Sequence, residues 1–164
     1  MEISLVSGLE SAALARTAEE IDRLLRDVRP WLYRLALAVT ARSDLAEDVA
    51  QEALLRISRS RHKLASLREP NAWMRTVTVR CALTAIAKSP ALCPLPPPST
   101  DPTDQVAVRH VLARLQPIER AILALTHFEG LSYAEIGEVL GIPVGTVASR
   151  LHAAREAFRK EWSR

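Results

Sequence analysis

Apolar positions recur every three to four residues along most of this chain. Between Thr17 and Ala41 the stripe is Ile21, Leu24, Leu25, Val28, Leu32, Leu35 and Val39, the rhythm of one face of a helix. Pro30 falls inside that stripe and predicts a kink, or a division into two helices. Ser43 reads as the N-cap of a second helix to about Lys63, with Asp44 and Glu47 enriching its first turn. Pro70 suits a first turn and opens a third helix to about Lys88. Residues 1–16 are weakly patterned and read as frayed or a short helix.

Four more helices are expected near 105–115, 117–128, 132–140 and 144–161. Ser132 with Glu135 spells a capping box, and Gly141 a left-handed cap. Pro143 and Gly145 make the turn into the last helix. The period-2, β-branched signature of strands is absent, so the fold class is all-α. Six of the ten prolines lie between Pro90 and Pro102, which excludes helix interior there. Residues 89–104 therefore read as an extended linker between an N-terminal domain, 1–88, and a C-terminal four-helix domain, 105–164.

Charge and composition narrow the picture. The chain has 164 residues and a net charge of +3. The N-terminal part carries +3, the linker −2 and the C-terminal part +2. That balance permits a nucleic-acid partner without demanding one. Two cysteines, Cys81 and Cys93, and four scattered histidines argue against a disulfide scaffold and a structural metal site. Cys81 reads as buried packing; Cys93, in the linker, reads as the more exposed thiol. No apolar run approaches the roughly 20 residues of a membrane helix. The start of the chain has no basic flank before an apolar core and does not read as a signal peptide. The expectation is a cytoplasmic protein with reduced thiols and no membrane insertion, cofactor, metal or catalytic residue.

Three local patterns carry chemistry. The sharpest runs from Leu131 to Leu151, where four of the five glycines cluster between 130 and 145. It has the form of a helix-turn-helix. Ala134 is the small residue expected where the helices cross, and Ile136, Val139, Leu140, Ile142, Val147 and Leu151 form the buried set. The second helix would turn Thr146, Ser149, Arg150, His152, Ala153 and Arg155 outward to a major groove. The second pattern places Asp44, Asp48, Gln51 and Glu52 on one helix face, with Glu47 beside them. As a bare pattern this is a solvated acidic surface. The third is the helix from Pro70, bearing Trp73, Arg75, Thr76 and Arg80 behind a basic loop, Arg59 to Arg68. Such a surface can grip a splayed single strand, although Trp31, Trp73 and Trp162 also read as packing residues.

Taken together and in this order, these motifs resemble an extracytoplasmic-function (ECF) sigma factor, a sigma-70 relative with only the second and fourth sigma domains. The resemblance rests most on Ala46-Glu47-Asp48-Val49-Ala50-Gln51-Glu52, on Ala72-Trp73-Met74, and on Gly145 through Arg155. It implies that Asp44, Glu47, Asp48, Gln51 and Glu52 dock on core RNA polymerase. It implies −10 contacts from His62, Lys63, Arg68, Asn71, Trp73, Arg75, Thr76 and Arg80, and −35 contacts from Thr146, Ser149, Arg150, His152 and Arg155. The linker would thread the polymerase near the RNA exit path.

The chain departs from family habit at Ala148, where Lys or Arg is usual, at Arg80, where Asn is usual, and at Leu83 to Lys88, usually arginine-rich. Promoter contacts are expected to be few and affinity for free DNA low. The chain stops shortly after the recognition helix, so control is expected from outside, by an anti-sigma factor. The rival reading is a stand-alone helix-turn-helix regulator binding duplex DNA, which leaves the 44–52 face without a role. The reach is consistent: sixteen proline-rich residues extend to roughly 50 Å, while sites about 17 base pairs apart are separated by roughly 58 Å.

Overall fold

The computed structural model describes residues 16–89 and 104–163. The expectations for the first 15 residues, for Cys93 and for most of the linker lie outside them. Among the described residues there are helices and no strand. The helices are α1 (Ala18–Thr40), α2 (Ser43–Arg59), α3 (Arg61–Ser66), α4 (Pro70–Lys88), α5 (Asp104–Arg114), α6 (Pro117–Leu123, continued by a π-turn over Ala124–Phe128), α7 (Tyr133–Leu140) and α8 (Val144–Trp162).

α1 begins with a capping box: the Glu20 amide donates to Thr17 Oγ1 at 3.2 Å, and the Thr17 amide to Glu20 Oε2 at 2.7 Å. It then runs as one helix through Pro30, so the expected division into two helices does not occur. Pro30 and Arg26 both lie on the exposed side, where water can satisfy the carbonyl that proline leaves without a donor. The second helix also departs from expectation. Ser43 is its first helical residue rather than its cap, the N-cap being Arg42 with no side-chain bond. The helix ends at Arg59, and Ser60 breaks the chain before the short α3.

α1, α2 and α4 pack together. Ile21, Val28, Leu32, Ile57, Leu64 and Met74 close one end of this unit. The larger core starts from Leu35, Ala36, Val39, Val49, Val79 and Ala82 and continues without a gap into Ile122, Leu125, Ile136 and Leu151 of the C-terminal helices. The two halves therefore lie against each other, with α1 on α6 and α4 on α7. Arg120, only 6% exposed, crosses that seam. Its Nε donates to the Val39 carbonyl at 2.6 Å and its Nη1 to the Leu115 carbonyl at 2.7 Å.

In the helix-turn-helix, the Glu135 amide donates to Ser132 Oγ at 3.3 Å and the Ser132 amide to Glu135 Oε2 at 2.8 Å, completing the expected capping box. Gly141 caps α7 at φ 69°. Ala134, expected at the helix crossing, is exposed instead. The crossing falls at buried Gly137, where an added Cβ would sit 2.8 Å from the Ile142 carbonyl oxygen.

Gly137→Ala should therefore force the turn apart and destabilise the fold by about 1–3 kcal/mol, the usual cost of overpacking. A thermal melt followed by circular dichroism measures it, and an unchanged midpoint would show that the turn can yield. The capping glutamates supply a pH dependence. Hydrogen bonds from Ser132 hold the Glu135 carboxyl below its ordinary 4.5, and the Thr17 amide does the same for Glu20. A depressed folded-state pKa contributes stability that is present above the unfolded value and lost as pH falls through the folded one. Helicity should fall on acidification through that range, and Ser132→Ala should flatten the dependence in melts recorded across it.

Candidate functional site

The acidic face forms as the spacing requires. Asp44, Glu47, Asp48, Gln51 and Glu52 are all exposed on α2, while Leu45, Ala46, Val49, Ala53 and Ile57 are buried on its other side. Two carboxylates are tethered locally: Asp44 to Arg42 at 2.8 Å and Glu52 to Arg56 at 2.6 Å. The Arg42 hydrogen bond holds the Asp44 carboxyl below its ordinary 3.8. Glu47 and Gln51 line a cleft of about 270 Å³ with Arg29, Tyr33 and Leu54. The face is solvated, anionic and backed by a rigid core, so it can meet a cationic partner surface with little reorganisation.

The −10 candidates divide into two groups. His62, Lys63, Arg68 and Asn71 are exposed around α3 and the start of α4. Lys63 Nζ stands 4.9 Å from the Trp73 ring centroid, a cation–π contact that holds both side chains at this end. Arg75, Thr76 and Arg80 lie further along α4. The Thr76 hydroxyl donates back to the Ala72 carbonyl at 3.0 Å. Arg75 and Arg80 face the C-terminal half: Arg75 Nε donates to Glu129 Oε2 at 2.8 Å, and Arg80 Nε to the Val139 carbonyl at 3.4 Å.

On α8 the outward set is open. Ser149, Arg150, His152, Ala153 and Arg155 are exposed, and Thr146 partly so. Val147, Leu151 and Ala154 are buried beneath them. At about 100° per residue, Arg150 and Arg155 stand roughly 140° apart, on opposite flanks of the helix. Arg155 also lines an apolar groove of about 490 Å³ with Leu112, Leu123, Phe128 and Phe158.

Residues 24–89 match the family model for Sigma-70 region 2, and residues 105–158 match the model for Sigma-70, region 4. SigL of Mycobacterium tuberculosis, an ECF RNA polymerase sigma factor, is 31% identical over 163 residues, an alignment covering 91% of this chain and 92% of SigL. The chain belongs to the ECF RNA polymerase sigma factors. SigE of Mycolicibacterium smegmatis is also 31% identical, over 84% of this chain and 60% of its own length. The Bartonella quintana sigma factor RpoE, solved in complex with the anti-sigma factor NepR, shares the fold with a TM-score of 0.71. Its identity is 20%, over 89% of this chain and 98% of that one.

Several residues of this sigma factor were not singled out by motif. Arg16 reaches from the start of α1 to the end of α3. Its Nη1 donates to the Leu67 carbonyl at 2.6 Å and the Leu64 carbonyl at 3.1 Å, and its amide to the Ala65 carbonyl at 3.2 Å. It thereby anchors α3, which bears His62 and Lys63, and the turn after it, which bears Arg68. Arg61 pairs with Asp22 beside it. Glu129 is another, and Trp31, read from the sequence as a packing residue, meets it at 2.9 Å, Nε1 to Oε1. Nothing in their local patterns marks them, because each acquires its partner from 98 residues away.

Ala148 is exposed on α8 and can take a longer side chain without repacking. Ala148→Lys should tighten binding to any duplex and steepen the salt slope of log Kobs by about 0.9, the effect of one added phosphate contact. Arg150→Ala should instead weaken preferred over random sequence by about 1–3 kcal/mol. Anisotropy titrations of the full chain on duplex DNA separate the two, and an unmoved slope for Ala148→Lys would place α8 away from DNA.

Proposed function

We propose that this sigma factor works as two promoter-reading domains, 1–88 and 105–164, on a proline-rich tether, 89–104. The acidic face at Asp44, Glu47, Asp48, Gln51 and Glu52 docks on core RNA polymerase. His62, Lys63, Arg68, Asn71, Trp73, Arg75, Thr76 and Arg80 engage and melt the −10 element. Thr146, Ser149, Arg150, His152 and Arg155 read the −35 element, with Arg150 and Arg155 working from opposite flanks of the recognition helix. The protein has no catalytic residue, cofactor or metal of its own, acts in the cytoplasm, and is restrained by an anti-sigma factor.

The observation that carries this reading is the coexistence of the two outward surfaces: an unobstructed recognition helix on one half and an exposed carboxylate face on the other. A duplex-binding regulator needs the first and has no use for the second. Among the described residues no cluster of His, Cys, Asp and Glu is placed to hold a metal ion, and no helix is long and apolar enough to cross a membrane. The capture of RpoE by NepR in a protein of the same fold supports the anti-sigma assignment.

The decisive experiment is transcription in vitro with purified core polymerase, followed by mapping of start sites. Start sites sharing −35 and −10 sequences are expected, and none appearing above core alone would remove the reading. Asp48→Arg with Glu52→Arg should abolish core binding while leaving helicity unchanged, because repulsion replaces complementary charge at a docking surface. Co-purification with core polymerase reads this, and full retention of binding by the folded double variant would detach the α2 face from that role.

A further inference from the structure

The contact between Glu129 and the N-terminal half stands apart from ordinary packing. Glu129 follows the π-turn of α6, in which its amide bonds the Ala124 carbonyl at 3.1 Å. Irregular turns of this kind reposition the residues at their ends. The Glu129 side chain is only 6% exposed. A carboxylate so deeply buried needs donors, and both donors named here come from the other half: Trp31 Nε1 at 2.9 Å and Arg75 Nε at 2.8 Å. The Arg75 guanidinium carbon also lies 6.0 Å from the Trp31 ring centroid. Arg75 thus has an anion and an aromatic face, the two things a nucleic acid would offer it.

The closed arrangement is also incompatible with reading two promoter elements at once. α7 lies directly on α4, with Arg80 Nε 3.4 Å from the Val139 carbonyl. Helix layers are spaced by about 10 Å, so the recognition helix α8 stands one or two layers from α4. Elements about 17 base pairs apart lie roughly 58 Å from each other. The halves must separate before both elements are engaged. Separation withdraws Glu129 from Arg75 and Val139 from Arg80, and it also takes Arg120 from the Val39 carbonyl and parts the shared apolar core. A cleft of about 290 Å³ lined by Asp27, Trp31, Asn71, Arg75 and Glu129 opens on the ion pair, so a competing anion has a route to Arg75.

We infer that the free protein rests in a self-closed form in which Glu129 occupies Arg75 as an intramolecular substitute for a DNA phosphate, so that closure and −10 contact exclude one another. This inference rests on the assignment of α4 to the −10 element. Closure leaves Thr146, Ser149 and Arg150 accessible, so the −35 surface stays open while part of the −10 surface is occupied. The switch needs no outside ligand to set it. A surface that draws the C-terminal half away, or a strand phosphate that competes for Arg75, releases it.

The test uses the full chain and a labelled single-stranded dT20. Glu129→Gln removes the anion while keeping an oxygen for the Trp31 indole. It should enlarge the radius of gyration measured by small-angle scattering. It should also steepen the salt slope for dT20 by about 0.7, the effect of one released arginine, or about fivefold tighter binding at 0.1 M salt. The gain should vanish in Glu129→Gln with Arg75→Gln. Glu138→Gln, which removes the same charge from the exposed side of α7, should change neither readout. An unchanged radius and slope in folded Glu129→Gln overturns the inference, as does a gain that survives Arg75→Gln or is matched by Glu138→Gln. If Arg75→Gln abolishes open complexes of the holoenzyme while Glu129→Gln changes nothing in the free chain, the self-closed form is wrong and the −10 assignment of α4 stands. If Glu129→Gln expands the chain without any gain on dT20, Arg75 is not a DNA contact, and the inference and that assignment fall together.

Discussion

Arg120 sets the arrangement of this molecule. A buried guanidinium costs several kcal/mol unless its donors are met, and helix C-termini leave carbonyls without intrahelical partners. Arg120 resolves both demands at once. Its donors take the Val39 carbonyl in the last turn of α1 and the Leu115 carbonyl just beyond α5, ends that also carry the negative pole of their helices. The C-terminal half is thereby seated on the N-terminal one with its apolar residues already in register. Ile122 and Leu125 then join Leu35 and Val39 in one continuous core.

The functional surfaces are distributed around that seam by charge. Residues that meet solvent keep their charges available: Glu47 and Asp48 on α2, Lys63 on α3, Arg150 on α8. At the seam Arg75 spends its charge inside the protein, while Arg80 stays exposed and touches the other half through one 3.4 Å hydrogen bond. Arg75 and Arg80 belong to the same helix and the same proposed DNA surface, yet one is half-buried on a carboxylate and the other rests against a backbone carbonyl. On the proposed −10 role of α4, such cations serve cohesion in one state and promoter contact in another. A groove beside the recognition helix shows a milder version of this sharing, with Arg155 both flanking the groove-facing surface of α8 and lining an apolar hollow with Phe128 and Phe158.

Local chemistry made much of the fold legible. Ser132 and Glu135 three residues apart, Gly141 after the last apolar residue, and Pro70 at a first turn each satisfy a requirement set within one turn of helix, and each appears as expected. Local reasoning went astray where a neighbour in space decides. Ser43 has the chemistry of a cap but is already helical, with Arg42 in the capping position. The stripe that suggests helix to Lys63 breaks at Ser60, where Arg16 holds the following carbonyls from a distance of about fifty positions. Ala134 and Gly137 are both small, and only the path of the turn through Ile142 shows that the latter must be.

By itself the sequence determined the helices, the helix-turn-helix, the acidic face of α2 and the family, because these rest on periodicities and caps spanning at most a few turns. It also supplied the candidates proposed to contact polymerase and nucleic acid. Tertiary structure alone decided which of them are free to do so. Trp31, Arg75 and Glu129 carry no local signal for one another, being 44 to 98 positions apart along the pairs they form. Their meeting depends on the seating of one half on the other, and the energy of a buried ion pair exists only once that seating has excluded water.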